Sequence, residues 1–179
     1  MNSPRDNDIA ALPYPDRFHF ESAEGWLMLG NPTESEVELQ RICSPFQKHP
    51  NVLELRWLIH AQGGKWNDCL AIAREIIAEV PSRPFGWIHL AYSLRRVDEG
   101  GLRMAWDALL PALARFPDNQ TVPYNLSCYA CQLGNLPEAR RLLTRAFDIA
   151  RELGDRETIR SMALADSDLK DLWAEVRAW

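Results

Sequence analysis

The sequence has no apolar run approaching the roughly 18 residues that a membrane-spanning helix requires, which argues against membrane insertion. Its opening, Met1 to Phe20, has three acidic residues and three prolines and no apolar stretch of the secretory kind, so it does not read as a signal peptide. An excess of basic residues is also missing. Twenty Lys and Arg against 25 Asp and Glu leave a net charge of −5, whereas a nucleic-acid footprint is normally basic. Cysteine is sparse: four residues at irregular positions, three of them in helical patterns, do not form a disulfide framework in a chain of this size. A reducing cytoplasm fits that usage. Sustained alternation with β-branched enrichment is absent, so no strand is predicted.

Chemical motifs are equally scarce. No H-E-x-x-H, glycine-rich phosphate loop or nucleophile elbow occurs. Cys128-Tyr129-Ala130-Cys131 is a C-x-x-C, a spacing used in redox pairs and half zinc sites. It falls in mid-helix, and no second pair completes a metal set, so the two cysteines read as small inward residues. His19, His49, His60 and His89 form no ligand spacing. The expectation is no catalytic residue, no metal and no cofactor.

What the sequence does have is a period. Ala105 and Ala139 lie 34 residues apart, each in a helical pattern and each followed at equal offsets by apolar residues: Leu109 and Ala112, then Leu143 and Ala146. Cys69 precedes Ala105 by 36 in a matching frame. A period of this length marks stacked supersecondary units. Glycines and prolines punctuate them: Gly63-Gly64, Gly100-Gly101 and Gly134 inside helix pairs, and Pro50, Pro81 and Pro117 between pairs. The pairs are expected at 21–31 with 33–48, 52–62 with 66–79, 84–97 with 101–115, and 121–133 with 136–152. Tail helices follow at about 155–164 and 167–177. Pro45 and Pro111 should kink or shorten their helices. Residues 1–20 read as a flexible arm, and 21–179 as one helical repeat domain with a C-terminal cap over about 153–179. In the cap, Leu169, Leu172, Trp173 and Val176 make one apolar stripe, while Asp168 and Glu175 are expected to face elsewhere. The tryptophans Trp26, Trp57, Trp66, Trp87 and Trp106 are expected in the core.

The third and fourth pairs carry a family resemblance. Trp87-x-x-Leu90-Ala91-x-x-Leu94, then Ala105, Leu109, Ala112 and Pro117, resembles the tetratricopeptide repeat. So does Tyr124-Asn125-Leu126, then Leu133-Gly134-x-Leu136-x-x-Ala139. The second pair keeps Gly64-x-Trp66-x-x-Cys69 but has Trp57 where the family prefers a small residue, and the first pair is degenerate. The resemblance covers about residues 21–152. It implies an all-α, right-handed superhelix of about four antiparallel helix pairs with a C-terminal capping helix.

It also implies a function. In that family the first helices of successive pairs line a concave groove that holds peptides. The corresponding positions here include Leu58, Phe85, Ile88, Tyr92, Arg95, Arg96, Tyr124, Asn125 and Cys128. Such a wall suits a segment with apolar anchors and an acidic residue for the guanidinium groups. Some relatives grip a C-terminal carboxylate with Lys, Asn and Arg; Asn125 matches one element, but Glu54, Leu58 and His89 do not match the others. The expectation is a cytoplasmic adaptor for a protein or peptide partner, not an enzyme. The alternatives are a secretion-type chaperone for an apolar client, and a thiol-dependent enzyme using Cys128 and Cys131.

Overall fold

The structure is a computed structural model that describes residues 11–179. The first ten residues of the expected arm lie outside the described residues. Every regular element among the described residues is helical.

The first compact unit runs to His89. It contains α1 (Asp16–Met28), α2 (Pro32–Arg41), a 3-10 turn (Ser44–Phe46), α3 (Pro50–Gln62), α4 (Trp66–Glu79) and the start of α5 (Pro84–Leu94). α1 packs on α2 and α3 on α4, as helical hairpins. The second unit begins at Leu90. It holds the end of α5, α6 (Leu102–Leu109), α7 (Ala112–Arg115), α8 (Thr121–Gln132), α9 (Leu136–Glu152) and α10 (Arg156–Ala165), then a 3-10 turn (Ser167–Leu172) and α11 (Trp173–Ala178). Here α8 packs on α9, and the 3-10 turn lies against α8.

Local chemistry sets the boundaries. The second helices of the first and fourth pairs start the same way. The Asn31 side chain accepts from the Glu34 amide at 3.2 Å, and Asn135 accepts from Glu138 at 3.4 Å, each with a proline in the first turn. Gly64 and Gly134 end the first helices of their pairs at φ +66° and +77°, a conformation that costs glycine little. Pro111 divides α6 from α7 because it cannot donate to the helical ladder. The helix expected over 33–48 stops at Arg41, and Pro45 sits in the 3-10 turn that replaces its end.

Other boundaries also differ from the sequence reading. α1 starts at Asp16, not near Glu21. The Asp16 carboxylate accepts the Cys43 amide at 2.6 Å and its thiol at 3.1 Å, a contact 27 residues away that no local pattern announces. These bonds hold the Asp16 carboxyl below the usual carboxylate range. The end of the cap, expected as one helix over 167–177, is a 3-10 turn followed by the short α11.

The cores follow the period. Ala105 and Ala139, and the partner residues Leu109, Ala112, Leu143 and Ala146, are wholly buried, as is Cys69. Small residues at these points let facing helices approach, and the leucines fill the remaining space, each contributing about 1.5–3 kcal/mol on burial. In the first unit Leu12, Ala23, Leu39, Ile42, Val52, Leu55 and Ile59 form one cluster, with Phe20, Leu27 and Phe46 packed on it. Across the α1–α2 hairpin the Ser35 hydroxyl donates to the Ala23 carbonyl at 2.7 Å, so its burial leaves no orphaned group. In the second unit Leu169, Leu172 and Val176 are wholly buried, as their stripe predicts. Trp57 is buried, but Trp26 is exposed on the outer side of α1, contrary to its expected core position.

Candidate functional site

The inward-reading residues fall into two sets, one in each unit. In the first unit, α3 and the start of α5 bring three rings together. The His89 ring stacks on Phe85 at 3.7 Å between centroids and meets Trp57 edge-on at 4.1 Å. Trp57 meets Phe85 edge-on at 6.2 Å. The His89 Nδ1–H donates to the Phe85 carbonyl at 2.9 Å. Burial outweighs that bond and pulls the imidazole down to about 4, so the ring is neutral near pH 7. Beside this cluster Arg83 spans Glu54 at 3.1 Å and Asn51 at 3.0 Å. Leu58 is exposed, Phe85 is half-buried and Ile88 is buried.

In the second unit the C-terminal turn lies over residues of α8 and the region just after α5. Arg95 donates to both carboxylate oxygens of Asp168, through Nη2 at 2.9 Å and more closely through Nη1. Gln132 donates to the Asp168 carbonyl at 3.1 Å. The Tyr124 hydroxyl donates to Asp166 at 3.1 Å, and the Cys128 thiol reaches the same oxygen at 3.4 Å. Asp166 also accepts the Asp168 amide at 3.0 Å, which closes the turn. The acidic neighbour raises Arg95 above its ordinary range. Arg96 takes a different position. Its guanidinium lies 3.4 Å from the centroid of the Tyr92 ring and donates to the Tyr92 carbonyl at 3.0 Å, while burial pulls its affinity for the proton down.

Of the residues predicted for the site, Arg95, Tyr124 and Cys128 therefore meet one acidic turn of the same chain. Tyr92 and Arg96 form a neighbouring pair, and Asn125 is half-buried on α8. Asp166 and Asp168 were missed. Asp168, read as part of the polar face of a capping helix, instead turns its carboxylate to Arg95, and Asp166 turns toward Tyr124 and Cys128 on α8. The Asp-x-Asp spacing did carry a signal, since Asp166 caps the turn it opens.

The C-x-x-C lies wholly on α8. Burial, then the Asp166 charge, pushes the Cys128 thiol up, and burial does the same to Cys131. A nucleophilic or redox cysteine needs the opposite shift. Among the described residues no three His, Cys, Asp or Glu side chains gather as a metal site would require, and no helix is long and apolar enough to cross a membrane.

No protein-family model matches the chain, and no curated protein matches it. Solved structures do. A thermophilic TPR protein of Thermus thermophilus is 16% identical, covering 92% of this chain and 100% of its own, with a TM-score of 0.64. A double mutant of MamA from strain RS-1 is 13% identical over 83% of this chain and 79% of its own, with a TM-score of 0.64. MamA of strain MSR-1 is 16% identical over 78% and 79%, with a TM-score of 0.60. Identity at this level speaks to the fold, and here the likeness joins the 34-residue period and the buried Ala105 and Ala139. The chain has the tetratricopeptide-repeat fold, an all-α architecture of consecutive helical hairpins.

Proposed function

We propose that this chain is an adaptor that binds a partner peptide or protein segment on the inward side of its first helices. The contacts would come from Leu58 and Phe85 in the first unit and from Tyr92, Arg95, Arg96 and Asn125 in the second, with Ile88, Tyr124 and Cys128 buried behind them. The observation that carries the reading is the Arg95–Asp168 pair with its Tyr124, Cys128 and Gln132 neighbours. A surface that receives an acidic turn through a bidentate arginine, a phenol and an amide has the chemistry to receive an acidic partner segment. Arg96 beside it, stacked on Tyr92, adds a second guanidinium to the same surface. In the first unit the Trp57, Phe85 and His89 rings offer a rigid wall for an apolar anchor.

The test is affinity capture on the immobilised full chain, with mass spectrometry, followed by calorimetry with the captured partner. Tyr92→Ala with Arg96→Ala should cost about 2 kcal/mol of binding or more, with helicity unchanged. Phe85→Ala with Leu58→Ala tests the first unit separately. Binding should also weaken as salt rises if a carboxylate meets Arg96. Equal affinity of wild type and both double variants would overturn the reading.

A further inference from the structure

α1 is apolar on two opposite sides. Ala23, Phe20 and Leu27 face the core of the first unit. On the far side Tyr14, Phe18, Ser22, Gly25 and Leu29 follow one another at spacings of four, four, three and four residues, a single stripe along the helix and its flanking residues. This outer stripe is not a polar cap. Tyr14 is 84% exposed, Phe18 57% and Leu29 77%, and Met28 and Trp26 border it. Five large exposed apolar residues on and beside one short helix mark an interaction surface.

The order of sizes along the stripe indicates the occupant. Phe18 and Gly25 stand at equal distances on either side of the Glu21–Ser22 bond, and so do Tyr14 and Leu29. We propose that the outer stripe of α1 is a homodimer surface, on which α1 of a second copy packs antiparallel about a two-fold axis near Glu21 and Ser22. Each Phe18 then seats over the partner's Gly25, and each Tyr14 over the partner's Leu29. Nothing in the protomer stands within 4 Å of a Cβ placed on Gly25, so the glycine is an open notch on the stripe. The small Ser22 and Gly25 let the helix backbones approach between the bulky ends. Charges agree with an axis close to the same point. Arg17 and Glu24 lie seven residues apart on one flank, and the antiparallel arrangement brings each Arg17 toward the partner's Glu24. In the protomer Arg17 holds Glu21 at 2.7 Å in an exposed pair, which exchange to Glu24 would replace at little cost. An isologous interface of this kind closes on itself and stops at two copies. One helix pair lies at the small end of specific interfaces, so the dimer should be reversible.

Sedimentation velocity of the full chain, from low to high micromolar concentration, tests the proposal. Wild type should pass from monomer to dimer across that range. Phe18→Glu should remain monomeric throughout. Gly25→Leu should also abolish the dimer by filling the notch that receives Phe18, while its thermal midpoint stays equal or rises, because the protomer leaves that space open and glycine is a poor helix former. That pairing of outcomes separates lost association from lost folding. Arg17→Glu and Glu24→Arg should each weaken the dimer at least tenfold, and the double exchange should restore it. A wild type monomeric at every concentration overturns the proposal, whether the stripe is then covered by residues 1–10 or by another protein. So does a dimer that Phe18→Glu and Gly25→Leu leave intact.

Discussion

Arg95 and Asp168, 73 residues apart in sequence, form a two-pronged ion pair that ties the C-terminal turn to the residues following α5. Both side chains are largely shielded, at 25% and 19% exposure. Removing one partner leaves the other charge poorly solvated, which costs more than the pair contributes as a whole. Arg95→Ala or Asp168→Ala should each lower stability by about 1–3 kcal/mol in urea unfolding. The double variant should lose clearly less than the two effects added, which is the signature of direct coupling. Simple additivity would mean the pair does not hold the turn.

Ala105 and Ala139 mark the two wholly buried contact points of the 34-residue frame. Leucine at either position must push helices apart, at about 1–3 kcal/mol. Thermal unfolding followed by circular dichroism measures the loss. Unchanged midpoints for both variants would contradict the packing.

Gly86 lies inside α5, where a Cβ would stand 2.8 Å from Ile77 Cγ1 and 3.0 Å from Ile76 Cγ2. The missing side chain lets α5 approach α4 closely. Gly86→Ala should therefore destabilise by about 1–3 kcal/mol, although alanine is the better helix former. A gain in stability in the same unfolding assay would show that α4 yields.

His89 links stability to pH. Its folded value near 4 lies below the ordinary 6.5, so the unfolded chain binds the proton more readily. The neutral ring's contribution is complete above about 6.5 and is lost as pH falls toward about 4. The full difference is on the order of 3 kcal/mol. His89→Phe, which keeps a ring beside Trp57 and Phe85, should flatten that part of the stability profile relative to wild type. Parallel profiles for the two proteins would exclude His89 as the group responsible.

The four cysteines should differ in reactivity. Cys43 is exposed, whereas Cys69, Cys128 and Cys131 are buried, and burial raises Cys69 to about 11. A thiol reagent on the folded protein should modify Cys43 first and reach the other three only on unfolding. Replacing Cys128 and Cys131 by serine should leave the fold intact with some loss of stability. Rapid native modification of Cys128 would revive a thiol chemistry on α8.

Much of the architecture is legible locally. Gly64 and Gly134, Asn31 and Asn135, and the prolines at helix starts define most boundaries through short-range backbone chemistry. The burial of Ala105, Ala139, Leu169, Leu172 and Val176 follows from helical spacing. The start of α1 was not legible, because Asp16 is held by Cys43 across the next helix. Trp26 was misread for a related reason: an apolar residue on a helix with two apolar sides can face either the core or the outside, and its spacing alone does not choose.

The candidate site divides in the same way. Arg95, Tyr124 and Cys128 were singled out through the resemblance to the tetratricopeptide repeat, and all three meet one acidic turn of the same chain. Their acidic counterparts were not, because Asp166 and Asp168 look like any solvated face of a capping helix. By itself the sequence determined the helices, their breaks and the small residues at their contacts, through torsional preference, missing amide donors and side-chain volume over a few neighbouring residues. Only the tertiary structure decided that the last turn comes back onto α8, that Phe85 and His89 close on Trp57, and which side of α1 meets the core. Those outcomes depend on contacts between residues far apart in sequence, whose energies no local pattern contains.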